Sequence, residues 1–109
     1  AMFAIHHLSD GVICSREDGG ILFVNQTWAD RLGIPALGMV GKPLSFLDAA
    51  MDADRWKEYC SAIPAGKWSL IRSVHRSADG AEIPVRMTSY RSTDENQPFI
   101  CSYIREEGT

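Results

Sequence analysis

The chain has 109 residues, of which 45% are hydrophobic and 23% are charged. This length suits a single domain with one apolar core, and the composition excludes a disordered chain. The 11 basic and 14 acidic residues give a net charge of −3, which disfavours binding of nucleic acid through the overall field of the domain. No apolar stretch reaches about 18 residues, so we expect no membrane-spanning segment and a cytoplasmic location.

The cysteines predict free thiols rather than a structural framework. The chain has three, Cys14, Cys60 and Cys101, which lie far apart in the sequence and form no CxxC pair. An odd, widely spaced set is typical neither of a disulfide framework nor of a zinc site. We therefore expect all three thiols to be free and the protein to reside in a reducing compartment.

The first third of the chain predicts a β-hairpin followed by a short helix. Two apolar runs, 11–15 and 21–24, flank the turn-forming residues 17–20. Strands joined by a glycine-rich turn form a β-hairpin. Asn25 then provides a helix N-cap, and Gly33 ends the short helix that follows.

The middle of the chain predicts an irregular connection and one clear helix. Glycine and proline interrupt residues 34–51, where only one helical turn, at 44–47, is expected. From about Asp54 to Ile63, apolar residues recur at the spacing of one helix face. The residues on that face are Trp56, Tyr59, Cys60 and Ile63.

The last third predicts three strands, at about 67–76, 82–91 and 99–104, with a hairpin turn at 79–80 between the first two. Ile83, Val85 and Met87 alternate with polar residues, as in a strand that is buried on one side. Strands at both ends of a helical middle imply an antiparallel sheet with helices packed on one face, which is an α+β fold.

Several motifs, in this order and at this spacing, resemble those of the PAS domain family. They are the opening strand at 10–13 (D-G-V-I), the D-G-x-I-x-x-x-N hairpin at 18–25, the L-G-I stretch at 32–34 followed by V-G-K-P-L at 40–44, and the D-G-x-x-I-P-V hairpin at 79–85. The resemblance runs from about Ser9 to Arg105. It implies a five-stranded antiparallel sheet in the order 2-1-5-4-3, with short helices on one face and a ligand pocket between the two layers.

The resemblance also implies a sensory or regulatory domain attached to an output domain, such as a histidine kinase, a diguanylate cyclase or a transcription regulator. We expect the output domain to lie outside these 109 residues. No catalytic motif such as GxSxG or HExxH occurs, so we expect a non-catalytic module. We assign 1–8 to an N-terminal extension, 9–105 to the PAS domain and 106–109 to the start of a linker; Ala1 and Met2 are expected to derive from the expression vector.

Both ends of the domain depart from the family pattern. The first strand ends in Cys-Ser-Arg at 14–16, where family members usually have an Asp. Many members end in an Asp-Ile-Thr triad that couples the sheet to a following helix, whereas residues 103–106 read Tyr-Ile-Arg-Glu. Either the triad is degenerate or Glu106 takes the place of its Asp.

We predict no cofactor. Haem-binding PAS domains generally ligate iron through a histidine on the long helix, and the helix at 54–63 has none. His6, His7 and His75 lie elsewhere and are expected to be exposed. Cys60 lies on the right helix, but its place on the apolar face predicts a packed core thiol rather than an iron ligand.

The sequence also excludes flavin photochemistry of the family's light-sensing kind. Those members carry a reactive Cys in the motif N-C-R-F-L-Q, and the matching residues 43–48 read Pro-Leu-Ser-Phe-Leu-Asp. Leu44 and Ser45 thus stand where the Cys and the Arg would be needed. A flavin bound without photochemistry stays open, since the three tryptophans could stack on its ring.

Strand alternation and helix faces together predict the side chains that line the pocket. These side chains are mostly apolar and aromatic, which suits a small ligand of the same character. The predicted lining consists of Ile13, Leu22, Val24, Trp28, Leu32, Phe46, Leu47, Trp56, Tyr59, Cys60, Val85, Met87 and Ser89. A slip of one residue in any strand would exchange its inward and outward sets.

Two arginines are candidate contacts for an anionic group on such a ligand. Arg72 and Arg86 lie on strands that should pair through the turn at 79–80. A guanidinium that points into a dry pocket binds a carboxylate well. The alternative is that both side chains cover the solvent face of the sheet and pair with Glu82 or Asp94.

Two functions stay open at this point. The first is a sensor in which ligand occupancy of the pocket changes the geometry of the sheet and the terminal helix. The second is a ligand-free module for dimerisation or protein interaction, in which the same side chains close the core. We expect a homodimer formed through the N-terminal segment or the sheet face, and no contact of this domain with nucleic acid or membrane.

Overall fold

The computed structural model of the protein describes residues 10–107. Its sheet consists of five strands, Gly11–Arg16 (β1), Ile21–Val24 (β2), Trp68–Arg76 (β3), Glu82–Arg91 (β4) and Phe99–Glu106 (β5). The helices are Gln26–Leu32 (α1) and Ala53–Ser61 (α2), and two 3-10 turns, Ala36–Gly38 and Leu44–Phe46, lie between them. The N-terminal extension predicted at 1–8 lies outside the described residues.

The strands form one antiparallel sheet in the order β2-β1-β5-β4-β3. β1 and β5, which come from opposite ends of the chain, lie side by side inside the sheet, where Ile13 faces Ser102. β3 and β4 form a long hairpin, and β4 also pairs with β5. The observed strand order confirms the fold that the sequence resemblance implies.

The first hairpin is tied to α1 by Asn25. Its side-chain oxygen accepts hydrogen bonds from the backbone N–H groups of Trp28, at 3.1 Å, and Val12, at 3.0 Å. Its side-chain nitrogen donates to the backbone carbonyl of Asp10 at 3.0 Å. Asn25 therefore caps the helix, as predicted, and also fixes the start of that helix against β1.

Asp52 caps the start of α2, since its carboxylate accepts a hydrogen bond from the backbone N–H of Arg55 at 2.8 Å. Trp56 and Cys60 on this helix are buried, and Ile63 is buried just beyond its end. The helix therefore turns its predicted apolar face toward the core. Neither of the described helices is long and apolar enough to cross a membrane.

β3 reverses the usual distribution of apolar and polar side chains. Trp68, Leu70 and Val74 point outward and are 48%, 55% and 39% exposed. The residues that alternate with them toward the core include Ser73 and His75. An edge strand with its polar side chains inside brings hydrogen-bonding groups into the core, where each needs a partner.

Two predicted pocket residues point to solvent instead, so their prediction was wrong. Leu22 is 45% exposed because a bulge inserts it as an extra residue into β2 and shifts the alternation of that strand. Phe46 is 47% exposed because its 3-10 turn directs Leu44 and Leu47 inward and leaves Phe46 on the outer side.

A close approach of α1 to β1 leads to a stability prediction. A Cβ atom added at Gly11 would lie 2.7 Å from the indole ring of Trp28, which is 4% exposed and has no room to move. We expect Gly11→Ala to lower the free energy of unfolding by about 1–3 kcal/mol through overpacking. Urea denaturation followed by tryptophan fluorescence measures the loss.

Gly38→Ala is the matched control for that substitution. A Cβ atom at Gly38 would meet its nearest neighbour, the Ile34 side chain, only at 3.9 Å. We expect this variant to be as stable as the parent chain or up to about 1 kcal/mol more stable. Equal losses in both variants would contradict the close approach at Gly11.

Candidate functional site

The candidate site is the interior between the inward face of the sheet and the helical layer. Many of the predicted pocket residues lie there in one buried apolar cluster: Ile13, Val24, Trp28, Leu32, Leu47, Trp56, Cys60, Val85 and Met87. Ser89 is also buried, and the half-buried Tyr59 packs against the cluster. Further members, which the predicted pocket lining did not include, are Ile21, Ala29, Met39, Leu44, Met51, Ile83, Ile100 and Ile104.

A chain of polar contacts crosses this apolar interior. The indole Nε1–H of Trp28 donates a hydrogen bond to Nδ1 of His75 at 3.1 Å. The other ring nitrogen of His75, Nε2, lies 3.3 Å from Oδ2 of Asp48. The second carboxylate oxygen of Asp48 accepts hydrogen bonds from the Ser73 hydroxyl, at 2.9 Å, and the Ala50 backbone N–H, at 3.1 Å. We call Trp28, Asp48, Ser73 and His75 the His75 cluster.

The contacts define the tautomer of His75. An indole N–H can only donate, so Nδ1 of His75 accepts and carries no proton. The proton of the neutral ring is therefore on Nε2, which faces Asp48. The side chains of both His75 and Asp48 are 0% exposed. Nε2 and Oδ2 are not aligned as a regular hydrogen bond, and neither atom has another partner among the described residues.

The expectation that His75 is exposed was wrong. It rested on the place of His75 near the end of a strand, beside the turn at 79–80, whereas the side chain points into the core and is 0% exposed. Asp48 was not singled out at all. The signal available in the sequence was the alternation of Ser73 and His75 with the outward-facing apolar residues of β3, which places both polar side chains on the same side of the strand.

A second set of polar contacts lies at the other end of the interior. The hydroxyl groups of Ser89 and Ser102, on the adjacent strands β4 and β5, are 2.8 Å apart. The Tyr59 hydroxyl donates to the backbone carbonyl of Ser69 at 3.2 Å. Burial raises the pKa of Tyr59 above its usual value. Each of these groups has a hydrogen-bond partner, whereas the buried atoms of residues 10–107 that lack one, Oδ2 of Asp48 and Nε2 of His75, belong to the His75 cluster.

The described residues of the interior provide neither a thiolate for iron nor a reactive cysteine for a flavin adduct. Burial raises the pKa of Cys60 to about 12, which disfavours the thiolate that a metal ion would need. Residues 10–107 contain no group of three or more histidine, cysteine, aspartate or glutamate side chains placed to hold a metal ion. Leu44, which is 2% exposed, stands where the reactive cysteine of light-sensing relatives is expected, so no sulfur is available there for a flavin adduct.

Arg72 and Arg86 do not reach the interior. They face each other across β3 and β4, and they are on the outward side of the sheet. Arg72 pairs with Glu107 at 2.7 Å rather than with Glu82 or Asp94. Arg86 lies in a shallow outer groove of about 500 Å³, which is lined by Asp10, Trp68, Leu70, Arg86, Thr88, Tyr103 and Arg105. The prediction that these arginines contact a ligand in the pocket was therefore wrong.

Comparison with known proteins establishes the family. The sequence model of the PAS domain family matches residues 3–67, which is more than half of the chain. The protein belongs to the PAS domain family, the class of sensory domains that its motifs resemble. No curated protein matches the chain in sequence.

Solved PAS domains have the same fold. The PAS domain of an HTR-like protein from Haloarcula marismortui is 18% identical, with a TM-score of 0.83 over 96% of this chain and 97% of that one. A PAS domain from a two-component sensor histidine kinase is 19% identical, with a TM-score of 0.78 over 96% and 91%. A light-oxygen-voltage domain studied with a flavin analogue is 12% identical, with a TM-score of 0.75 over 97% and 83%.

The His75 cluster leads to a second stability prediction. In His75→Ala, the Trp28 N–H and the Asp48 carboxylate would both be left buried without their partner, beside a new cavity. We expect a loss of roughly 2–4 kcal/mol in the free energy of unfolding. Arg76→Ala changes the next residue of the strand, which is exposed, and should alter stability by no more than about 0.5 kcal/mol. Urea denaturation of both variants gives the comparison, and similar values would contradict a structural role of the cluster.

Proposed function

We propose that this PAS domain is the sensory input of a longer signalling protein and that a small, largely apolar or aromatic ligand binds in its interior. The observation that supports the proposal most strongly is the His75 cluster, a set of polar side chains surrounded by apolar ones. Small-molecule sites typically combine an apolar lining with a few polar groups that orient the ligand.

The energetics of burial favour a functional reason for the cluster. Removing a carboxylate and an imidazole from water is costly, and apolar residues of similar size often stabilise a core more than a buried pair does. Asp48 and His75 nevertheless lie fully inside and keep two polar atoms without a regular hydrogen bond. A ligand with one polar atom would satisfy them while its apolar part contacts the surrounding side chains.

Ligand entry would require side chains to move, because the interior is closely packed. Met39, Met51 and Met87 are between 0% and 1% exposed. Methionine is flexible and adapts to irregular shapes, so these side chains are suited to moving aside. Binding would then favour a second arrangement of α1 and of the connection that carries Met39 and Met51.

An ion pair provides a route from the interior to the end of the domain. α1 carries Trp28 of the His75 cluster and also Arg31, whose guanidinium forms two hydrogen bonds with the Glu106 carboxylate, at 2.9 and 2.7 Å. Arg31 lowers the pKa of Glu106, so this carboxylate is charged at neutral pH. Glu106 is the last residue of β5, so a shift of α1 would reach the segment that leads to an attached output domain. In this proposal Glu106 takes the role of the family's C-terminal Asp, and the whole module works in the cytoplasm.

Three aromatic probes, indole, naphthalene and 1-naphthoate, test the ligand proposal. At a concentration of about 100 times Kd, a bound probe stabilises the fold by about 2.7 kcal/mol, which raises Tm by roughly 10 °C or more in a domain of this size. We expect the indole N–H resonances of Trp28 and Trp56 to shift in two-dimensional NMR, and that of the exposed Trp68 to serve as the unchanged control. Extraction of the purified protein followed by mass spectrometry would reveal a ligand carried from the cell. The absence of any Tm shift, resonance shift and extracted compound would argue against ligand sensing.

A second candidate function is a module for homodimerisation, which the outward face of the sheet favours. The ring centroids of Trp68 and Tyr90 are 5.0 Å apart, and those of Trp68 and Tyr103 are 5.6 Å apart. Leu70, 55% exposed, lies beside them in the outer groove. Exposed clusters of aromatic and aliphatic side chains are typical of protein interfaces.

Sedimentation velocity over a range of concentrations tests the dimer. We expect the parent chain to form dimers and Leu70→Glu to shift it to monomers, because a charge would be buried at the interface. Leu37→Glu is the control, since Leu37 is 87% exposed and lies in the first 3-10 turn, away from the sheet face. A parent chain that remains monomeric at high concentration, or an equal effect of both substitutions, would count against this interface.

A further inference from the structure

The outward face of the sheet brings together two cysteines that are far apart in sequence. Cys14 on β1 and Cys101 on β5 are directly opposite each other in the strand register. Their Sγ atoms are 3.4 Å apart, and the Cys14 thiol donates a hydrogen bond to the sulfur of Cys101. Both side chains are half-buried, and both are free thiols in this structure.

We propose that Cys14 and Cys101 form a dithiol site that a hydroperoxide oxidises to an intramolecular disulfide. Directly opposite residues of antiparallel strands have Cα atoms about 4.5–5.5 Å apart. Disulfides span Cα separations of about 4.4–6.8 Å. Because the backbone spacing already suits the bond, rotation of the two side chains is sufficient to bring the sulfur atoms from 3.4 Å to bonding distance.

The direction of the hydrogen bond, from the Cys14 thiol to the sulfur of Cys101, makes the two thiols unequal and assigns their roles. The hydrogen bond from Cys14 lowers the pKa of Cys101, so Cys101 is the thiol that forms the thiolate. The same hydrogen bond and then burial raise the pKa of Cys14, which stays protonated. The thiolate is the nucleophile of cysteine chemistry, so Cys101 attacks the oxidant and Cys14 resolves the product.

The reaction balances as a two-electron oxidation. The Cys101 thiolate attacks one oxygen of hydrogen peroxide, the O–O bond breaks, and a sulfenic acid and hydroxide form. The Cys14 sulfur then attacks the sulfenic sulfur, the S–O bond breaks, and the disulfide forms. The Cys14 proton passes to the leaving hydroxide as the sulfur atoms bond, and the hydroxide from the first step takes up the proton that Cys101 lost on forming its thiolate. Two thiols and one peroxide therefore give one disulfide and two waters. An organic hydroperoxide would give one water and one alcohol instead.

Cys60 is an internal reference for this chemistry. It lies on α2 in the core, on the opposite side of the sheet, and is 2% exposed. Burial raises its pKa to about 12, so it has almost no thiolate at neutral pH. The dithiol site is also independent of the proposed ligand site, because it lies on the other face of the sheet and uses none of its residues.

Thiol counting on the full chain tests the proposal. The reduced, desalted protein is treated with hydrogen peroxide, denatured, alkylated with a maleimide and weighed by mass spectrometry. We expect the parent chain to fall from three alkylated thiols to one, located on Cys60 by peptide mapping, with a cross-linked peptide pair that contains Cys14 and Cys101. If dithiothreitol is added after the peroxide and before the maleimide, all three thiols should again be alkylated.

Serine variants separate the steps. We expect C60S to form the disulfide and lose both remaining thiols. C14S lacks the resolving thiol, so Cys101 should accumulate as a sulfenic acid that dimedone traps, and C101S should stay reduced. Retention of all three thiols in the peroxide-treated parent chain would overturn the proposal. A disulfide that involves Cys60, or one that joins two chains, would overturn it as well.

Discussion

The hydrogen bond from Trp28 to His75 connects parts of the molecule that lie 47 residues apart in the sequence. It links α1 to β3, the edge strand, and Asp48 extends the link to the connection before α2. Two backbone hydrogen bonds near His75 reinforce this link. The N–H of Arg76 donates to the carbonyl of Leu47, and the N–H of Ala78 donates to the carbonyl of Leu32, both at 2.8 Å. Apolar packing alone would allow the helical layer to slide over the sheet, whereas directional bonds between fixed atoms do not. The placement of α1 and of the connection before α2 against β3 therefore rests on this contact and on the two backbone hydrogen bonds beside it.

The local parts of the fold could be predicted from the sequence because short-range chemistry determines them. Asn25 caps α1 through atoms a few residues away, and the alternation in β4 correctly places Val85 and Met87 inside. The errors came from features that neighbouring residues do not encode. The bulge that turns Leu22 outward depends on pairing between strands. The burial of His75 depends on a hydrogen-bond partner in α1, 47 residues earlier, which the residues around His75 do not reveal.

The two faces of the sheet present different side chains, and β5 contributes residues to both faces. Its residues alternate, so Ser102 and Ile104 are buried in the core while Cys101 and Tyr103 face outward. A ligand in the interior and an oxidant at the outer face would therefore act on adjacent residues of one strand. Under the two proposals, β5 would receive both signals, because it contributes residues to both faces of the sheet.

The ion pair between Arg31 and Glu106 adds a dependence on the surrounding electrolyte. The two side chains are 45% and 31% exposed, so dissolved ions reach them freely. The Debye length, over which dissolved ions screen a charge, is about 8 Å at physiological ionic strength and about 3 Å in molar salt. The mechanical connection between α1 and the end of β5 would thus loosen as salt accumulates. In the proposed signalling role, such a domain would transmit a given movement of α1 less faithfully at high salt than at low salt.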